Sequence, residues 1–122
     1  MAGEDRKLRR LTKRSEFLRA ARGKRTGRSG FSLQAVASEG ELPGVGFTVT
    51  KATGNSPERN RIKRRLREAV RACAPAFRPQ HDYVLVGCRE ALSEPFVRLV
   101  SSLGAAIARL HSTPARPDSE TQ

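Results

Sequence analysis

Cysteine and histidine are scarce in this chain, which has two cysteines, Cys73 and Cys88, and two histidines, His81 and His111, among 122 residues. Two cysteines are too few for a disulfide framework or a cysteine-based zinc cluster. We expect both to be small buried side chains in a reducing compartment. Neither histidine belongs to a cluster of cysteines or carboxylates, so the sequence predicts no metal site in the protein.

Long apolar runs are also missing. The longest extend over only a few residues, whereas about 20 are needed to cross a bilayer. Residues 1–7 carry charges where a secretion signal requires an apolar run. We therefore expect a cytoplasmic protein with no membrane partner.

Large rings are few as well, because tryptophan is absent and aromatic residues make up 5% of the chain. The core must be built mainly from leucine, valine, isoleucine and alanine. A chain of 122 residues is long enough for one such core and little more. We expect a single domain over residues 12–111, a flexible basic arm over residues 1–11 and a disordered tail over residues 112–122.

Acidic residues are half as numerous as basic ones, at 12 against 24, which gives a formal charge of +12. A small protein with this excess is expected to meet a polyanion, either nucleic acid or an anionic membrane surface. The excess is clustered, since residues 1–28 and 51–71 together carry 19 of the 24 cations. Such clustering is typical of a binding surface.

The first half of the chain predicts one helix and two strands. Helical spacing indicates a short helix from residue 12 or 15 to residue 22, followed by a polar loop over residues 24–30. Alternating apolar and polar residues predict strands over residues 31–38 and 44–51. A short turn separates these strands, so we expect them to pair as a hairpin.

The second half predicts a basic helix, a strand and a final helix. Ser56 as N-cap and Pro57 in the first turn begin the basic helix, which extends to about residue 73. Residues 82–89 are rich in β-branched and aromatic side chains and indicate a central strand. Ser93 is a plausible N-cap for a helix that ends near residue 110. Together these elements predict an α+β fold, with one small sheet covered by helices on one face.

The basic helix combines an apolar arc with rows of cations. Arginine outnumbers lysine six to one over residues 59–71, and its planar guanidinium binds phosphate oxygens with two hydrogen bonds. Like charges one turn apart destabilise an isolated helix by about 0.2–0.5 kcal/mol per pair, and a bound polyanion would relieve that repulsion. The apolar arc comprises Ile62, Leu66, Ala69, Val70 and Cys73.

RNA suits this combination better than DNA. Basic recognition helices that read DNA usually belong to a helix-turn-helix or a dimer zipper, and the strand-rich context fits neither. An open sheet with an exposed ring beside a phosphate-binding helix suits single-stranded RNA, and Phe17, Phe47 and Tyr83 are candidate rings. A structural or ribosome-associated RNA-binding protein stays open as an alternative, as does a nucleic-acid chaperone or DNA-binding module. A protein-only nuclease would need clustered acidic metal ligands, which this sequence lacks.

The segment over residues 47–69 resembles the signature of the protein component of bacterial ribonuclease P. That family carries an Arg-Asn-Arg core followed by further cations on one helix, after an approach that ends in Gly-Asn. Residues 11–17 and 82–89 look like the family's opening and its last strand, so the resemblance spans about residues 6–110. The matching residues are Thr50, Lys51, Gly54, Asn55, Arg59, Asn60, Arg61, Lys63, Arg64 and Arg67.

The resemblance implies an α+β fold in αβββαβα order, of the ribosomal protein S5 domain 2-like type, with a small sheet sandwiched with three helices. It also implies that the catalyst is ribonuclease P RNA, which uses RNA-bound Mg²⁺ to remove the 5′ leader of precursor tRNA. The protein would bind both RNAs, take no small-molecule substrate and hold no catalytic residue. The implied ribozyme-binding residues are Arg59, Asn60, Arg61, Lys63, Arg64 and Arg67, and the implied leader-cleft residues are Phe17, Phe31, Thr50, Lys51 and Arg89.

The implied leader cleft, between the first helix and the sheet, departs from the family pattern. Two positions that often carry aromatic rings there hold Ala21 and Gln34. Stacking on the leader would then rest mainly on Phe17, helped by Phe31 if that ring faces outward. We therefore expect less stacking and more phosphate contact than in an aromatic-rich relative.

Overall fold

The computed structural model describes residues 8–112, which form one five-stranded mixed sheet and three α-helices. The predicted tail lies outside these residues except for Ser112, which ends the last helix. In chain order the elements are β1 (Arg9–Arg10), α1 (Arg14–Ala21), β2 (Lys24–Gly27), β3 (Phe31–Ala37), β4 (Gly44–Thr48), α2 (Ser56–Ala72), β5 (His81–Gly87) and α3 (Phe96–Ser112). The strand order across the sheet is β1-β4-β5-β3-β2.

The apolar strand β5 lies at the centre of the sheet. It pairs antiparallel with β3 on one edge and parallel with β4 on the other. The predicted hairpin between β3 and β4 is therefore wrong. A strand at the centre of a sheet forms ladder hydrogen bonds along both edges, and its apolar side chains are buried on both faces. The parallel pairing of β4 with β5 requires a long crossover connection, which α2 supplies.

The predicted polar loop over residues 24–30 is also wrong, because its first half is an edge strand. β2 pairs antiparallel with β3, from Lys24 opposite Ala35 to Gly27 opposite Ser32. Edge strands commonly carry charged side chains, which is why the apolar pattern does not mark this one. With β2 in place the αβββαβα order is confirmed, preceded by the additional strand β1.

The boundary of the predicted N-terminal arm is wrong at its end. β1 pairs parallel with β4, with Arg9 opposite Gly44 and Arg10 opposite Val45. Leu11 follows with 4% of its surface exposed, because it packs into a small apolar cluster beneath α1. Residues 1–7 of the predicted arm lie outside the described residues.

The helices cover both faces of the sheet rather than one. α2 and α3 pack on the face that carries Leu33 and Leu85, which belong to the main core. α1 packs on the opposite face, where Ala20 and Leu11 meet Val84. The one-face arrangement predicted from the order of elements is therefore wrong, and the sandwich that the resemblance implied is confirmed.

Tyr83 is buried in the main core, so it offers no platform for an RNA base. Its hydroxyl lies 2.7 Å from Nε2 of His111 and accepts a hydrogen bond from the backbone N–H of Arg78. Burial, followed by the nearby charges of Arg78, His81 and Lys24, lowers the pKa of His111 to about 4. The interaction fastens the end of α3 to the central strand.

Both cysteines are half-buried rather than fully buried. Burial is the main cause that raises the pKa of the Cys73 and Cys88 thiols.

The last helix, α3, begins at Phe96, which is later than the predicted N-cap Ser93. The carbonyl of Pro95 accepts the first helical hydrogen bonds, from the backbone N–H groups of Arg98 and Leu99.

Candidate RNA interface

The start of α2 is fixed by a capping box one residue earlier than predicted. The Asn55 side chain accepts the backbone N–H of Glu58 at 2.9 Å, and the Glu58 carboxylate accepts the backbone N–H of Asn55 at 2.9 Å. Asn55 is therefore the N-cap, and Ser56 and Pro57 are the first two helical residues. The reciprocal pair satisfies two amides that the helix leaves without partners.

Arg89 reaches across from the segment after β5 to this cap. Its guanidinium donates to both carboxylate oxygens of Glu58, at 3.0 and 3.2 Å, and to the carbonyl of Thr53 at 3.1 Å. The hydrogen bond from Arg89 is the main cause that lowers the pKa of Glu58. In this geometry Arg89 holds the turn before α2 against the sheet.

The sequence-predicted cations of α2 lie on its outer side. Its inner side is buried through Ile62, Leu66, Ala69 and Val70. Asn60, Arg61, Arg64 and Arg67 are exposed, whereas Arg59 and Lys63 are half-buried. The helix therefore presents a stripe of guanidinium groups to solvent while its apolar arc packs on the sheet.

Two arginines of α2 are held by the protein itself. Arg59 donates to the carbonyl of Gly54 at 3.3 Å and to the hydroxyl of Ser56 at 3.0 Å, so it folds back over the cap. Arg65 donates to the carbonyl of Glu94, in the turn that leads to α3. Arg65 thus ties α2 to α3, whereas Arg59 combines a local structural role with partial exposure.

Carboxylates near α2 engage cations other than those of the predicted stripe. Glu58 pairs with Arg89 at 3.0 Å, and Glu68 pairs with Arg71 at 3.4 Å. Within residues 8–112, no carboxylate lies at ion-pair distance from the predicted RNA-binding cations of α2. These cations can therefore receive phosphate oxygens without first breaking an internal ion pair. They are Arg59, Arg61, Lys63, Arg64 and Arg67.

The face beneath α1 is only partly covered. The ring of Phe17 lies over Gly46, where a Cβ atom would come within 2.7 Å of the ring. The register places Ser32, Val86 and Thr48 in the next row of the same face, and all three are half-exposed. An open strip of sheet therefore continues from the ring of Phe17 toward the turn that follows β4.

The turn at the end of this strip carries two predicted leader-cleft residues. Thr50 and Lys51 are both exposed. The Thr50 hydroxyl lies 3.1 Å from the Thr53 hydroxyl, in a short 3-10 turn over Lys51–Thr53. The ammonium group of Lys51 is thus presented to solvent just before α2 begins.

The prediction that Phe31 could line the leader cleft is wrong. Phe31 is 1% exposed and belongs to the main core under α2 and α3. Its alternation along β3 matches that of Leu33, so its ring points away from α1. Of the two positions without aromatic rings, Ala21 is exposed at the end of α1 and Gln34 is buried on the face that α1 covers.

An ion-pair network that sequence reasoning missed closes the other end of this face. Arg9 donates to Asp82 at 2.5 Å and to Glu16 at 3.3 Å, and Asp82 is nearly fully buried. The backbone N–H of Lys13 is the largest cause that lowers the pKa of Glu16, and Arg9 adds to it. A charged residue at the start of the apolar run of β5 was the available signal, since a buried carboxylate requires a partner.

No described helix combines the length and the apolar character needed to cross a bilayer. Within residues 8–112, no three or more histidine, cysteine or acidic side chains come together in a group that could hold a metal ion.

Sequence comparisons connect this geometry to known proteins. The family model described as Ribonuclease P matches residues 6–111. The ribonuclease P protein component of Ruegeria pomeroyi is 47% identical over 107 residues, which cover 84% of this chain and 86% of the relative. That of Brucella melitensis is 43% identical over 109 residues, which cover 80% of this chain and 77% of the relative.

Solved structures share the fold at lower sequence identity. The ribonuclease P protein from Thermotoga maritima superposes with a TM-score of 0.71 at 20% identity, covering 84% of this chain and 97% of that protein. A mutant of the Staphylococcus aureus protein gives a TM-score of 0.72 at 21% identity, covering 84% of this chain and 87% of that protein. At these identities the superpositions support the α+β architecture.

Proposed function

The chain belongs to the family of bacterial ribonuclease P protein components and is a subunit of this tRNA-processing endoribonuclease, and from this premise we propose that α2 docks on the catalytic RNA. The exposed groups of the docking surface are Asn60, Arg61, Arg64 and Arg67. A ribonucleoprotein subunit needs an RNA-binding surface, and arginine binds phosphates through paired hydrogen bonds.

The observation that carries this proposal is the outward stripe of arginines on α2. The stripe is free of internal ion pairs among the described residues, whereas neighbouring Arg65 and Arg89 make hydrogen bonds within the protein. Like charges clustered on one helix destabilise it unless an anion offsets them. A phosphate backbone would supply that anion along the length of the helix.

The open strip beside Phe17 is the surface that we propose for the 5′ leader of precursor tRNA. A half-exposed ring can stack on an unpaired base, and Thr50 and Lys51 at the far end of the strip can bind its phosphates. Arg89 contributes indirectly, because it holds the turn that carries these residues. With Phe31 buried, Phe17 is the one predicted cleft ring that lies on this face.

We further propose that the RNA subunit performs the cleavage with RNA-bound Mg²⁺. The protein's cations would lower the repulsion between the two RNAs, which favours magnesium at the scissile phosphate. The chain's own residues then bind and orient RNA and form no covalent bond with it. We place this activity in the cytoplasm, where bacterial tRNA precursors are made.

Reconstitution tests the proposal directly. The full-length protein, added to ribonuclease P RNA at limiting magnesium, is expected to restore cleavage of precursor tRNA and to raise affinity for substrates that carry a leader. The Arg61→Gln/Arg64→Gln variant should require a higher protein concentration for the same cleavage. A charge-matched control, Arg78→Gln/Arg98→Gln, removes two exposed arginines outside both basic clusters and should behave like the unmodified protein.

Two results would contradict the proposal. Cleavage that is unchanged by the protein, together with equal affinity for any RNA, would favour a structural or ribosome-associated RNA-binding protein. Equal loss of function in the two double variants would mean that net charge, rather than the α2 stripe, carries the binding.

A further inference from the structure

A groove of about 500 Å³ lies between α2, the edge strand β1 and the neighbouring strand β4. Its apolar floor includes Leu8, Val45 and Phe47, and its rim includes Arg10, Arg67 and Arg71. Volumes of this size are typical of sites for small organic ligands. The groove is lined from the α2 side of the sheet, whereas Phe17 and the strip beside it lie on the α1 side.

Strand register explains why apolar and cationic groups meet here. Arg10 lies opposite Val45 in the β1–β4 pair, so their side chains point to the same face. Leu8 shares that face and packs against the main core. Because β1 is only two residues long, it leaves Phe47 half-exposed between the strand edge and α2.

The cations around the groove differ in how far they are engaged. The guanidinium of Arg67 lies 5.8 Å from the centre of the Phe47 ring, in a cation–π arrangement. Arg71 makes a 3.4 Å ion pair with Glu68, and both of these side chains are largely exposed. Arg9 also lines the groove, but its guanidinium is paired with Asp82 and Glu16 on the other face.

We propose that this groove binds one unpaired nucleotide of an RNA, with its base against Phe47 and Arg67 and its phosphate at Arg10 and Arg71. A nucleotide joins a flat base, whose faces can stack on an apolar surface, to an anion, which matches an apolar floor with a cationic rim. A second copy of this chain would bring like charges together, so charge complementarity disfavours it. The site extends the RNA-binding surface of the proposed function from phosphate contacts on α2 to a base.

The free protein tests the proposal with adenosine 5′-monophosphate as the probe and amide NMR shifts as the readout. We expect shifts concentrated at Val45, Phe47 and Arg67, weaker shifts with adenosine, and little change at these residues with inorganic phosphate. Equal shifts with inorganic phosphate would overturn the proposal in favour of a simple anion site. Stronger binding of a hexaglutamate peptide, or no shift with any probe, would also overturn it.

Variants then separate the base from the phosphate. Phe47→Leu keeps the floor apolar but removes the stacking face, so affinity for the nucleotide should fall about tenfold. Phe96→Leu removes an exposed ring at the start of α3 and serves as the matched control. Arg10→Gln should weaken the nucleotide but not adenosine. Equal effects of the two Phe→Leu changes would overturn the proposal. The assay contains no ribonuclease P RNA, so its outcome is independent of the docking test above.

Discussion

The two faces of the central sheet are covered to different extents. Two helices of 17 residues, α2 and α3, close one face. The 8-residue α1 covers part of the other, which leaves Phe17 and the strip beside it half-exposed. The closed face supports a helix whose outer side is free to carry cations, whereas the open face supplies sheet surface itself. One small domain thereby presents two different surfaces, a row of cations on the outer side of α2 and an open strip of sheet beside the ring of Phe17.

The largest expected effect tests the difference in packing. Leu85→Ala removes a side chain from the large core under α2 and α3, and we expect the free energy of unfolding to fall by about 4 kcal/mol. Leu11→Ala lies in the small cluster under α1 and should lower it by about 2 kcal/mol. Urea denaturation of both variants measures these losses. Equal losses would mean that the two faces contribute alike to stability.

The next largest effect concerns the open face and the affinity for precursor tRNA. Phe17→Leu keeps an apolar group over Gly46 but removes the ring, so affinity of the holoenzyme for precursor tRNA should fall about tenfold. Affinity for mature tRNA and for the catalytic RNA should not change. Leu18→Ala, at the exposed neighbouring residue of α1, is the control. A loss that is equal for precursor and mature tRNA would show that Phe17 does not contact the leader.

A smaller effect concerns pH and the closed face. The pKa of His111 falls from an ordinary 6.5 to about 4 on folding, mainly because of burial. Between pH 6.5 and about 4, His111 is protonated in the unfolded chain but stays neutral in the folded protein. Its contribution to the free energy of unfolding is therefore complete above about pH 6.5 and decreases as the pH falls toward 4. The lowered pKa values of Glu16 and Glu58 act at more acidic pH, below their ordinary 4.5.

Urea denaturation near pH 7 and near pH 5 measures this linkage to His111. The unmodified protein should lose more stability between the two conditions than His111→Gln, which cannot titrate. Equal losses in the two proteins would place the pH dependence elsewhere.

Much of the fold could be predicted from the sequence because the long elements have strong periodicity. The arcs of α2 and α3 and the apolar run of β5 each mark their own elements. Strand pairing could not be predicted in the same way. The short turn between β3 and β4 favoured a hairpin locally, but the double-sided burial of β5 determines that both strands pair with it instead. β1 and β2 are polar edge strands, whose residues are defined by a partner rather than by their own pattern.

The sequence predicted a row of outward cations on α2, but it did not predict the contacts of each residue of the candidate site. The α2 cations were expected outside, and the exposures of Arg61, Arg64 and Arg67 agree with that expectation. Helical spacing alone could not distinguish them from Arg65, which the protein uses to join α2 to α3. Phe31 was misplaced because the alternation of a strand defines two faces without saying which one a helix covers.

If the outward arginines of α2 contact phosphates, these contacts determine how binding to ribonuclease P RNA depends on salt. Each lost phosphate contact should lower the slope of log affinity against log salt by about 0.7–0.9. We predict a slope smaller by about 1.5 for Arg61→Gln/Arg64→Gln, with an unchanged free energy of unfolding, and an unchanged slope for the control Arg78→Gln/Arg98→Gln. The same slope in all three proteins would contradict it.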